Sequence, residues 1–241
     1  MNVAVLVDII KETKTNWRFI FESPLYDNIN FVPGQLVQLG FMESDEANGV
    51  PEYMVKRNYS VASWPDGSNK FELIITYLPG GQMSKKLFYD SKIGDEFLYN
   101  GPMGVFTLPE TIDRDIYFVS TGSGISPFRS MLGYIDKQKI PTKNIKLFFG
   151  TRTKEDIPYY EEMKNYQKTI PNFEYIPCLS REKWEGHNGY VHSAYLPIID
   201  KMDTKPLIYF CGWDKMIREG REHLSERGFE MMKDIRVEIF G

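Results

Sequence analysis

The pattern of short strands in the first part of this chain stops near residue 108, and a different pattern follows it. Before that point, short runs rich in Val, Ile, Leu and aromatic residues are separated by turn sequences such as Pro33-Gly34 and Gly101-Pro102. This punctuation is typical of a closed antiparallel barrel. After Leu108-Pro109, apolar strands alternate with helical segments, which indicates a parallel sheet covered by helices. We therefore predict two domains, residues 1–108 and residues 109–241.

The two patterns predict specific elements in each domain. In the first domain we expect a helix at Ser84–Phe88 and strands at Asn2–Ile10, Trp17–Glu22, Leu36–Phe41, Asn58–Ala62, Phe71–Tyr77 and Glu96–Tyr99. In the second domain we expect strands at Ile116–Ser120, Ile145–Gly150, Phe173–Leu179, Leu207–Cys211 and Ile235–Phe240. The helices between them should lie near Pro127–Gln138, Tyr159–Lys168, Ser193–Ile199 and Asp214–Arg227.

Composition narrows the class of protein. Of the 241 residues, 42% are hydrophobic and 26% are charged, as in soluble globular proteins, and a net charge of −4 argues against general nucleic-acid binding. No apolar run is long enough for a spanning helix and the N-terminus lacks a basic start, so we expect a cytoplasmic monomer without membrane insertion. The two cysteines, Cys178 and Cys211, are too few for a zinc or iron–sulfur site. We expect no metal, so any redox chemistry would need a bound organic cofactor.

The segment Thr121-Gly122-Ser123-Gly124-Ile125-Ser126-Pro127 joins a predicted strand to a predicted helix. Glycines let a phosphate approach the backbone, and the N-terminus of the following helix offers free N–H groups. Pro127 suits a first helical turn, where its missing N–H would have no partner in any case. Taken alone, this segment is equally consistent with a structural turn and with a nucleotide site.

The residues that follow the next strands bear on which nucleotide would bind. A Rossmann site for NAD places an acidic residue about 20 positions after the glycines to bind the ribose 2′-hydroxyl. That position falls near Ile140–Asn144, where no acidic residue ends a strand. The following strands instead lead into Thr151-Arg152 and Ser180-Arg181. Hydroxyl and guanidinium groups suit a 2′-phosphate, which favours NADP over NAD; the alternative is two solvated surface arginines.

In the first domain, Arg57-Asn58-Tyr59-Ser60 is the segment with the most distinctive side chains. Strand alternation puts Arg57 and Tyr59 on one face and the other two residues on the opposite face. An arginine for phosphate and a tyrosine for stacking suit a flavin nucleotide. Further along, Gly80–Ser84 opens the predicted helix and offers N–H groups to a pyrophosphate. Ordinary packing would also explain each segment by itself.

Together, these segments resemble the ferredoxin–NADP⁺ reductase family, in that family's order and over nearly the whole chain. The resemblance rests on Arg57-Asn58-Tyr59-Ser60 (RxYS), Gly81-Gln82-Met83-Ser84 (GxxS), Asn100-Gly101-Pro102-Met103-Gly104 (GPxG), Thr121–Pro127 (GTGxxP type), Cys211-Gly212 (CG) and the C-terminal Val237-Glu238-Ile239-Phe240. It implies a six-stranded antiparallel β-barrel that binds FAD, followed by an α/β domain with a five-stranded parallel sheet that binds NADP(H).

The resemblance also implies roles for individual residues. For FAD, the implied ligands are Arg57, Asn58, Tyr59, Ser60, Tyr77, Gly81, Gln82, Met83, Ser84, Thr121 and Phe240. For NADP(H), they are Thr121, Gly122, Gly124, Pro127, Thr151, Arg152, Ser180, Arg181, Tyr190, Cys211 and Gly212. Ser60, Cys211 and Glu238 would form the catalytic pocket in which hydride passes between nicotinamide C4 and flavin N5, and they would orient the reactants without bonding to them covalently.

Two positions depart from the family's pattern. The chain ends in Phe240-Gly241, whereas many relatives end in tyrosine or in tyrosine and tryptophan. Phe240 keeps the face that would stack on the flavin and loses the hydroxyl. Trp213 follows Cys211-Gly212 where many relatives have proline or a small residue, so it would either form a wall of the nicotinamide pocket or simply pack.

The resemblance implies an FAD-dependent oxidoreductase that exchanges electrons between NADP(H) and a one-electron carrier on a separate chain, such as ferredoxin or flavodoxin. These carriers are acidic, so docking would need a local basic patch. The candidates are Lys11, Lys14, Arg18, Lys56, Lys85 and Lys86. One alternative is an NADH-dependent oxygenase reductase component or cytochrome b5 reductase-like enzyme, although relatives of that kind usually have an acidic residue where Ser180-Arg181 stands. Another is a flavin-binding electron-transfer or regulatory subunit.

Overall fold

A computed structural model of the chain describes residues 1–45 and 50–240, which form two six-stranded sheets in succession. The strands of the first sheet are β1 (Asn2–Lys11), β2 (Asn16–Glu22), β3 (Leu36–Asp45), β4 (Val50–Ser60), β5 (Lys70–Thr76) and β6 (Glu96–Met103). Their order is β4-β3-β6-β1-β2-β5, and every neighbouring pair is antiparallel. The sheet curls until its edges meet, since the N–H of Ala62, just after β4, donates to the carbonyl of Glu72 on β5.

Apolar side chains fill the interior of this curled sheet. Leu39, Phe41, Leu73, Phe97 and Tyr99 are all buried within one cluster contributed by several strands. Alternation along each strand directs these side chains inward. A short helix, α1 (Gln82–Lys85), continues into a π-helical turn at residues 86–90 and packs its Met83 and Leu87 onto the same cluster.

The second sheet is parallel throughout. Its strands are β7 (Ile116–Thr121), β8 (Ile145–Thr151), β9 (Phe173–Leu179), β10 (His187–Asn188), β11 (Leu207–Trp213) and β12 (Ile235–Phe240), in the order β10-β9-β8-β7-β11-β12. The helices are α2 (Ser126–Gln138), α3 (Tyr160–Thr169), α4 (Val191–Ile199) and α5 (Asp214–Ser225). The strand order reverses between β7 and β11, and the crevice outside the carboxyl ends of such strands is where open α/β sheets bind ligands.

The predicted fold class is confirmed, with two differences in detail. β4 begins at Val50 and ends at Ser60, whereas the prediction was Asn58–Ala62. This strand lies at the edge of its sheet, where an early proline and several exposed polar side chains are tolerated, so its first half lacks an apolar pattern. The parallel sheet has a sixth strand of two residues, His187–Asn188, which is too short to produce a sequence signal.

Candidate active site between the two sheets

The turn after β7 is held against the end of β11. Residues Gly122–Ile125 form a single 3₁₀ turn that leads directly into α2, with Pro127 in the first turn of that helix. Gly124 packs so tightly that a Cβ there would lie closer than 3.0 Å to the carbonyl oxygen of Cys211. Gly122 adopts a φ of +57°, and a Cβ at that residue would lie 3.7 Å from Thr76 Oγ1 of the barrel. Glycine is therefore favoured at residue 122 by its backbone conformation and required at residue 124 by its packing against β11.

The end of β11 depends on the same turn. Gly212 has a φ of +138°, and a Cβ at that residue would lie 2.5 Å from Thr121 Oγ1. The hydroxyl of Thr121 accepts a hydrogen bond from the N–H of Trp213 at 3.1 Å. Trp213 is 66% exposed, so it does not pack into the core. This excludes the predicted alternative in which Trp213 is only a packing residue. It lies at the carboxyl end of β11, beside the turn.

Ser60, Cys211 and Glu238 come together although they are far apart in the sequence. The hydroxyl of Ser60, at the end of β4, donates a hydrogen bond to the carboxylate of Glu238 on β12. Cys211 is directly opposite Glu238 in the pairing of β11 with β12. Both Ser60 and Cys211 are buried. A hydroxyl from the barrel thus meets a carboxylate of the parallel sheet, and a buried thiol lies on the strand next to that carboxylate.

Burial controls the protonation of this group. It raises the pKa of Glu238 to about 7, against a smaller opposing effect of the Ser60 hydrogen bond. Burial likewise raises the pKa of the Cys211 thiol well above its usual range, and the nearby Glu238 carboxylate adds to that rise. Cys211 is therefore a neutral thiol at physiological pH, whereas Glu238 can hold or release a proton near neutrality.

On the barrel, the side chains of Arg57 and Tyr59 differ in exposure. The Arg57 guanidinium is exposed, and it donates to the carbonyl of Lys56 at 2.7 Å. The ring of Tyr59 is half-buried against the barrel core, and burial raises the pKa of its hydroxyl. The amide of Asn58 accepts a hydrogen bond from Gln38 on β3 at 3.1 Å. An exposed cation next to a half-buried ring leaves both accessible to a ligand.

The segment after β5 forms a loop that the side chain of Ser84 holds in place. The buried hydroxyl of Ser84 accepts the N–H of Leu78 at 3.0 Å, and this bond folds the Pro79–Gly81 loop over the start of α1. The side-chain amide of Gln82 donates to the hydroxyl of Tyr53 on β4 at 2.5 Å. Tyr77, just before the loop, lies against the exposed ring of Tyr89. These contacts connect the GxxS segment to the strand that carries Arg57 and Tyr59.

The two predicted 2′-phosphate segments lie side by side at the carboxyl edge of the parallel sheet. The N–H of Ser180 donates to Thr151 O and the N–H of Arg181 donates to Arg152 O, both at 3.0 Å. Both arginine side chains are exposed, and neither forms an ion pair within the part of the chain that the structure describes. Tyr190 is 75% exposed and precedes α4. The structure thus brings the two segments together through their backbones, and the Ser180 hydroxyl donates a hydrogen bond to Thr151 O at 3.2 Å.

The geometry of this crevice fits a flavin and a nicotinamide nucleotide. The turn at Gly122 presents backbone without a side chain, and the buried Ser120 Oγ beside it has no hydrogen-bond partner among the described residues. The exposed Arg57 guanidinium can reach a phosphate. The backbone of Phe240 ends β12, but its side chain lies outside the described atoms, so its stacking on the flavin stays a prediction. No group of three His, Cys, Asp or Glu side chains among the described residues is arranged to hold a metal ion.

The structure also contains a buried charged cluster between the two sheets that the sequence did not indicate. Glu72 on β5 and Arg129 on α2 form an ion pair at 3.1 Å, and both are 6% exposed. Arg18, which we predicted as part of a docking surface, belongs to this cluster instead, since its guanidinium binds Glu72 at 2.7 Å and also contacts Glu12. Glu72 and Arg129 are 57 positions apart in the sequence, so no local pattern could have identified the pair.

Comparisons with known proteins agree with the two-sheet division. The family described as "Oxidoreductase FAD-binding domain" matches residues 4–108, and the family described as "Oxidoreductase NAD-binding domain" matches residues 118–222. This combination defines a class of flavin-dependent oxidoreductases in which a barrel binds FAD and a parallel α/β domain binds the nicotinamide nucleotide. No helix in the described residues combines the length and apolar character that crossing a membrane requires.

Individual relatives place the chain within this class. Ferredoxin–NADP reductase B of Sorangium cellulosum is 34% identical over 181 residues, which cover 72% of this chain and 73% of the relative. The electron transfer component of anthranilate 1,2-dioxygenase from Acinetobacter baylyi is 30% identical over 227 residues, 92% of this chain and 61% of the relative. This chain therefore spans about three fifths of that longer protein. It belongs to the ferredoxin–NADP reductase family.

Solved structures show the same fold over the whole chain. A ferredoxin–NADP⁺ reductase from Neisseria gonorrhoeae with bound FAD and NADP superposes with a TM-score of 0.82, at 22% identity, over 98% of this chain and 97% of that one. The cytochrome b5 reductase domain of Ulva prolifera nitrate reductase has a TM-score of 0.81 at 20% identity, over 99% of this chain and 96% of that one. The same fold is thus found in a ferredoxin–NADP⁺ reductase and in the cytochrome b5 reductase domain of a nitrate reductase.

Proposed function

We propose that this chain is an NADP(H)-dependent FAD oxidoreductase that exchanges electrons with a one-electron carrier on a separate chain, such as ferredoxin or flavodoxin. We assign FAD to residues 1–108 and the nicotinamide nucleotide to residues 109–241. The observation that carries the proposal is the meeting of Ser60, Cys211 and Glu238 where the two sheets face each other. Side chains of both domains converge there, as a reaction between two bound cofactors requires.

Bound FAD would supply the redox chemistry, taking two electrons from the reduced nicotinamide as hydride and releasing them singly. The chain's own residues bind, orient and shield. The buried Ser60 and Cys211 keep water from the meeting point, and the neutral Cys211 thiol offers a small, uncharged wall. Glu238 holds a proton near neutral pH and fixes the Ser60 hydroxyl through its hydrogen bond. None of these side chains has to act as a nucleophile.

The remaining ligands divide between the two cofactors. For FAD we propose Arg57, Asn58, Tyr59, Tyr77, Gly81, Gln82, Met83, Ser84, Thr121 and Phe240. For the nicotinamide nucleotide we propose Thr121, Gly122, Gly124, Pro127, Gly212 and, at its 2′-phosphate end, Thr151, Arg152, Ser180, Arg181 and Tyr190. The preference for NADP rests on Arg152 and Arg181, which are exposed, adjacent and without ion-pair partners in the described regions.

The surface for an acidic carrier would lie around α1. Lys85 is exposed, and Lys11 and Lys14 are exposed on the β1–β2 hairpin. This hairpin meets the π-helical turn that continues α1, where Trp17 packs on Phe88 at 4.7 Å between ring centroids. Exposed apolar side chains, including Leu78 and Tyr89, lie in the same part of the chain. The lysines attract an acidic partner and the apolar groups provide contact area.

A second candidate is an NADH-dependent reductase component of an oxygenase. The Acinetobacter protein supports it, since that protein is an electron transfer component of a dioxygenase. A cytochrome b5 reductase-like enzyme belongs to the same alternative, and a 28% identical protein of Yarrowia lipolytica is an NADH-cytochrome b5 reductase. The two proposals differ in the nucleotide and in the carrier. A third possibility, a flavin-binding electron-transfer or regulatory subunit, predicts that no reduced nucleotide would bleach the flavin.

An anaerobic titration of the purified yellow protein distinguishes these proposals. We expect NADPH to bleach the flavin faster than NADH at equal concentration, and the reduced protein to reoxidise on addition of ferredoxin or flavodoxin. A strong preference for NADH would favour the oxygenase-type reductase. Absence of bleaching with either nucleotide would favour the flavin-binding subunit, and a colourless protein after gentle purification would contradict all three.

A further inference from the structure

The buried charged cluster between the sheets joins the two halves of the active site at a second point. Arg129 belongs to the first turns of α2, two residues after Pro127, and so follows directly on the turn Gly122–Ile125. One amino group of its guanidinium donates to the carbonyl of Ala62 at 2.9 Å. Ala62 comes two residues after Ser60. One side chain therefore connects the helix that follows the nucleotide turn to the segment that follows the flavin strand.

The other contacts of Arg129 fix its guanidinium in place. The same amino group donates to Glu72 Oε1 at 3.1 Å, and Nε donates to Glu162 on α3 at 3.0 Å. The ring of Tyr159 lies 4.4 Å from the guanidinium carbon, and the ring of Trp64 lies 5.4 Å from it. A cation with this many partners in a buried site has one allowed position.

Glu72 is held just as firmly from the barrel. Its carboxylate accepts two hydrogen bonds from Arg18, at 3.0 and 2.7 Å, and one from the hydroxyl of Tyr159 at 2.6 Å. Its backbone N–H donates to Ser63 Oγ, and its carbonyl accepts from the N–H of Ala62. The Ala62 segment is thus clamped to β5 at the same point where Arg129 reaches it.

Backbone packing reinforces the connection. Gly133, one turn further along α2 than Arg129, lets the Trp64 ring approach the helix, since a Cβ there would lie closer than 3.0 Å to that ring. Trp64 belongs to the loop that leads from β4 to β5. The contact between barrel and helix is therefore close, so a small change at Arg129 would be transmitted to both sides rather than absorbed.

We propose that Arg129 is a positioning residue for the reaction, which fixes the flavin strand end at Ser60 relative to the nucleotide turn at Gly122–Ile125. The proposal rests on the proposed function, because it assumes that a bound nicotinamide nucleotide reduces a bound flavin. The Ser60–Glu238 hydrogen bond joins the barrel to the parallel sheet at one point. The Arg129 cluster joins them at a second point, and two points together fix the orientation of one relative to the other. Misplacing two reactants by about 1 Å can cost on the order of 100-fold in rate.

The test compares Arg129→Lys with Arg114→Lys in the full chain. Lysine retains the charge but cannot reach Ala62, Glu72 and Glu162 together. Arg114 pairs with Asp234 at 3.0 Å within the parallel-sheet half of the chain, so it is a matched control. We expect Arg129→Lys to lower the rate of flavin reduction at saturating nucleotide by about tenfold or more. The charge-transfer absorption band between nicotinamide and flavin should weaken. The dissociation constant for the nucleotide should change less than about twofold. Arg114→Lys should leave all three unchanged.

A second measurement does not depend on cofactors. Because Cys178 and Cys211 are buried, spin labels can be attached selectively to introduced cysteines at the exposed Lys70 on β5 and Lys137 on α2. We expect a narrow distribution of distances between the labels in the parent chain and a broader one with Arg129→Lys. If the distribution and the saturating reduction rate stay at parent values, the positioning role is wrong. If the parent protein is not reduced by either nucleotide, the proposed function fails, and this inference fails with it.

Where Arg129→Lys does not fold, the double variant Glu72→Gln with Arg129→Gln replaces both members of the ion pair by neutral side chains. Neither a charged Glu72 nor a charged Arg129 is then left buried without the other, and Arg18 keeps its contact with Glu12 at 3.4 Å. We expect the same slow reduction and broad distances from this variant. A folded double variant with the reduction rate and the charge-transfer band of the parent chain would overturn the proposal.

Discussion

The Ser60 hydroxyl of the barrel donates a hydrogen bond to the Glu238 carboxylate of the parallel sheet, across 178 residues of sequence. The bond is partly shielded from water and lies next to the buried Cys211. Because Ser60 and Glu238 belong to different domains, the bond requires the two domains to be in one relative orientation. It also couples the protonation of Glu238 to that orientation.

Replacement of Glu238 by glutamine should remove a pH dependence centred near neutrality. Burial raises the pKa of Glu238 from 4.5 to about 7, so the folded protein binds more protons than the unfolded chain between those pH values. Its contribution to stability is therefore complete below pH 4.5 and is lost as pH rises through 7. We expect Glu238→Gln to be more stable than the parent at pH 8, by up to about 3 kcal/mol, and equally stable at pH 4.5.

Two measurements check this expectation. Thermal unfolding at a series of pH values should show that the difference in unfolding free energy between parent and variant increases from pH 5 to pH 8. The rate of flavin reduction by NADPH should change with pH through a group titrating near 7 in the parent, and this titration should be absent from Glu238→Gln. If the variant retains the same pH profile, another group is responsible for it.

Reversal of charge at Arg181 should separate the two nucleotides. We expect Arg181→Glu to raise the Michaelis constant for NADPH by about 10- to 100-fold, since a charged hydrogen bond to phosphate is replaced by repulsion. The constant for NADH, which lacks the 2′-phosphate, should change much less. Lys183→Glu is the matched control, because Lys183 is exposed two residues further along and the charge change is the same. Equal effects on both nucleotides would show that Arg181 is not the 2′-phosphate ligand.

Local chemistry explains which features could be predicted from the sequence. The strands of the parallel sheet, the turn at Thr121–Pro127 and the neighbouring Ser180-Arg181 each depend on residues close together in the chain. Their apolar runs, glycines and polar strand ends are therefore visible in the sequence, and the structure has them within a few residues of the predicted places. The order of motifs along the chain then indicated the family.

The features that could not be predicted depend on contacts over long distances. The first half of β4 contains exposed residues such as Glu52 and Tyr53, because the strand lies at a sheet edge, and only the pairing with β3 reveals the strand there. The sequence suggests that Arg18 is a surface cation. In the structure it pairs with Glu72 on the neighbouring strand β5 and so belongs to a buried cluster. The same holds for Arg129, whose partners come from β5, α3 and the segment after β4.

Addition of a methyl group at Gly124 should disturb the nucleotide site more than the fold. The new Cβ would overlap the carbonyl of Cys211, so the turn must shift away from β11. We expect Gly124→Ala to lower the free energy of unfolding by about 1–3 kcal/mol and to weaken nucleotide binding at least tenfold. Gly67→Ala is the control: Gly67 has a φ of +85° but nothing within 4 Å of its Cβ position, so only backbone strain is added. Calorimetric titration with NADP⁺ should show unchanged affinity for that control.

Charge reversal on α1 should weaken the encounter with an acidic carrier without changing the chemistry at the flavin. We expect Lys85→Glu to raise the Michaelis constant for a ferredoxin or flavodoxin several-fold, because rim charges act mainly on the rate of association. Reduction of ferricyanide, which needs no docking surface, should be unchanged.

The comparison needs both a distant control and a change of salt. Lys168→Glu places the same charge change at the exposed end of α3, away from the barrel, and should have no effect on the carrier. At about 0.5 M salt the difference between the parent and Lys85→Glu should largely disappear, since the screening length falls to a few ångströms. A carrier that reacts equally well with both proteins at low salt would show that docking occurs elsewhere on the surface. The next surface to test would then be the exposed Trp213 beside the nucleotide turn, with reactivity toward the carrier and toward ferricyanide measured in parallel.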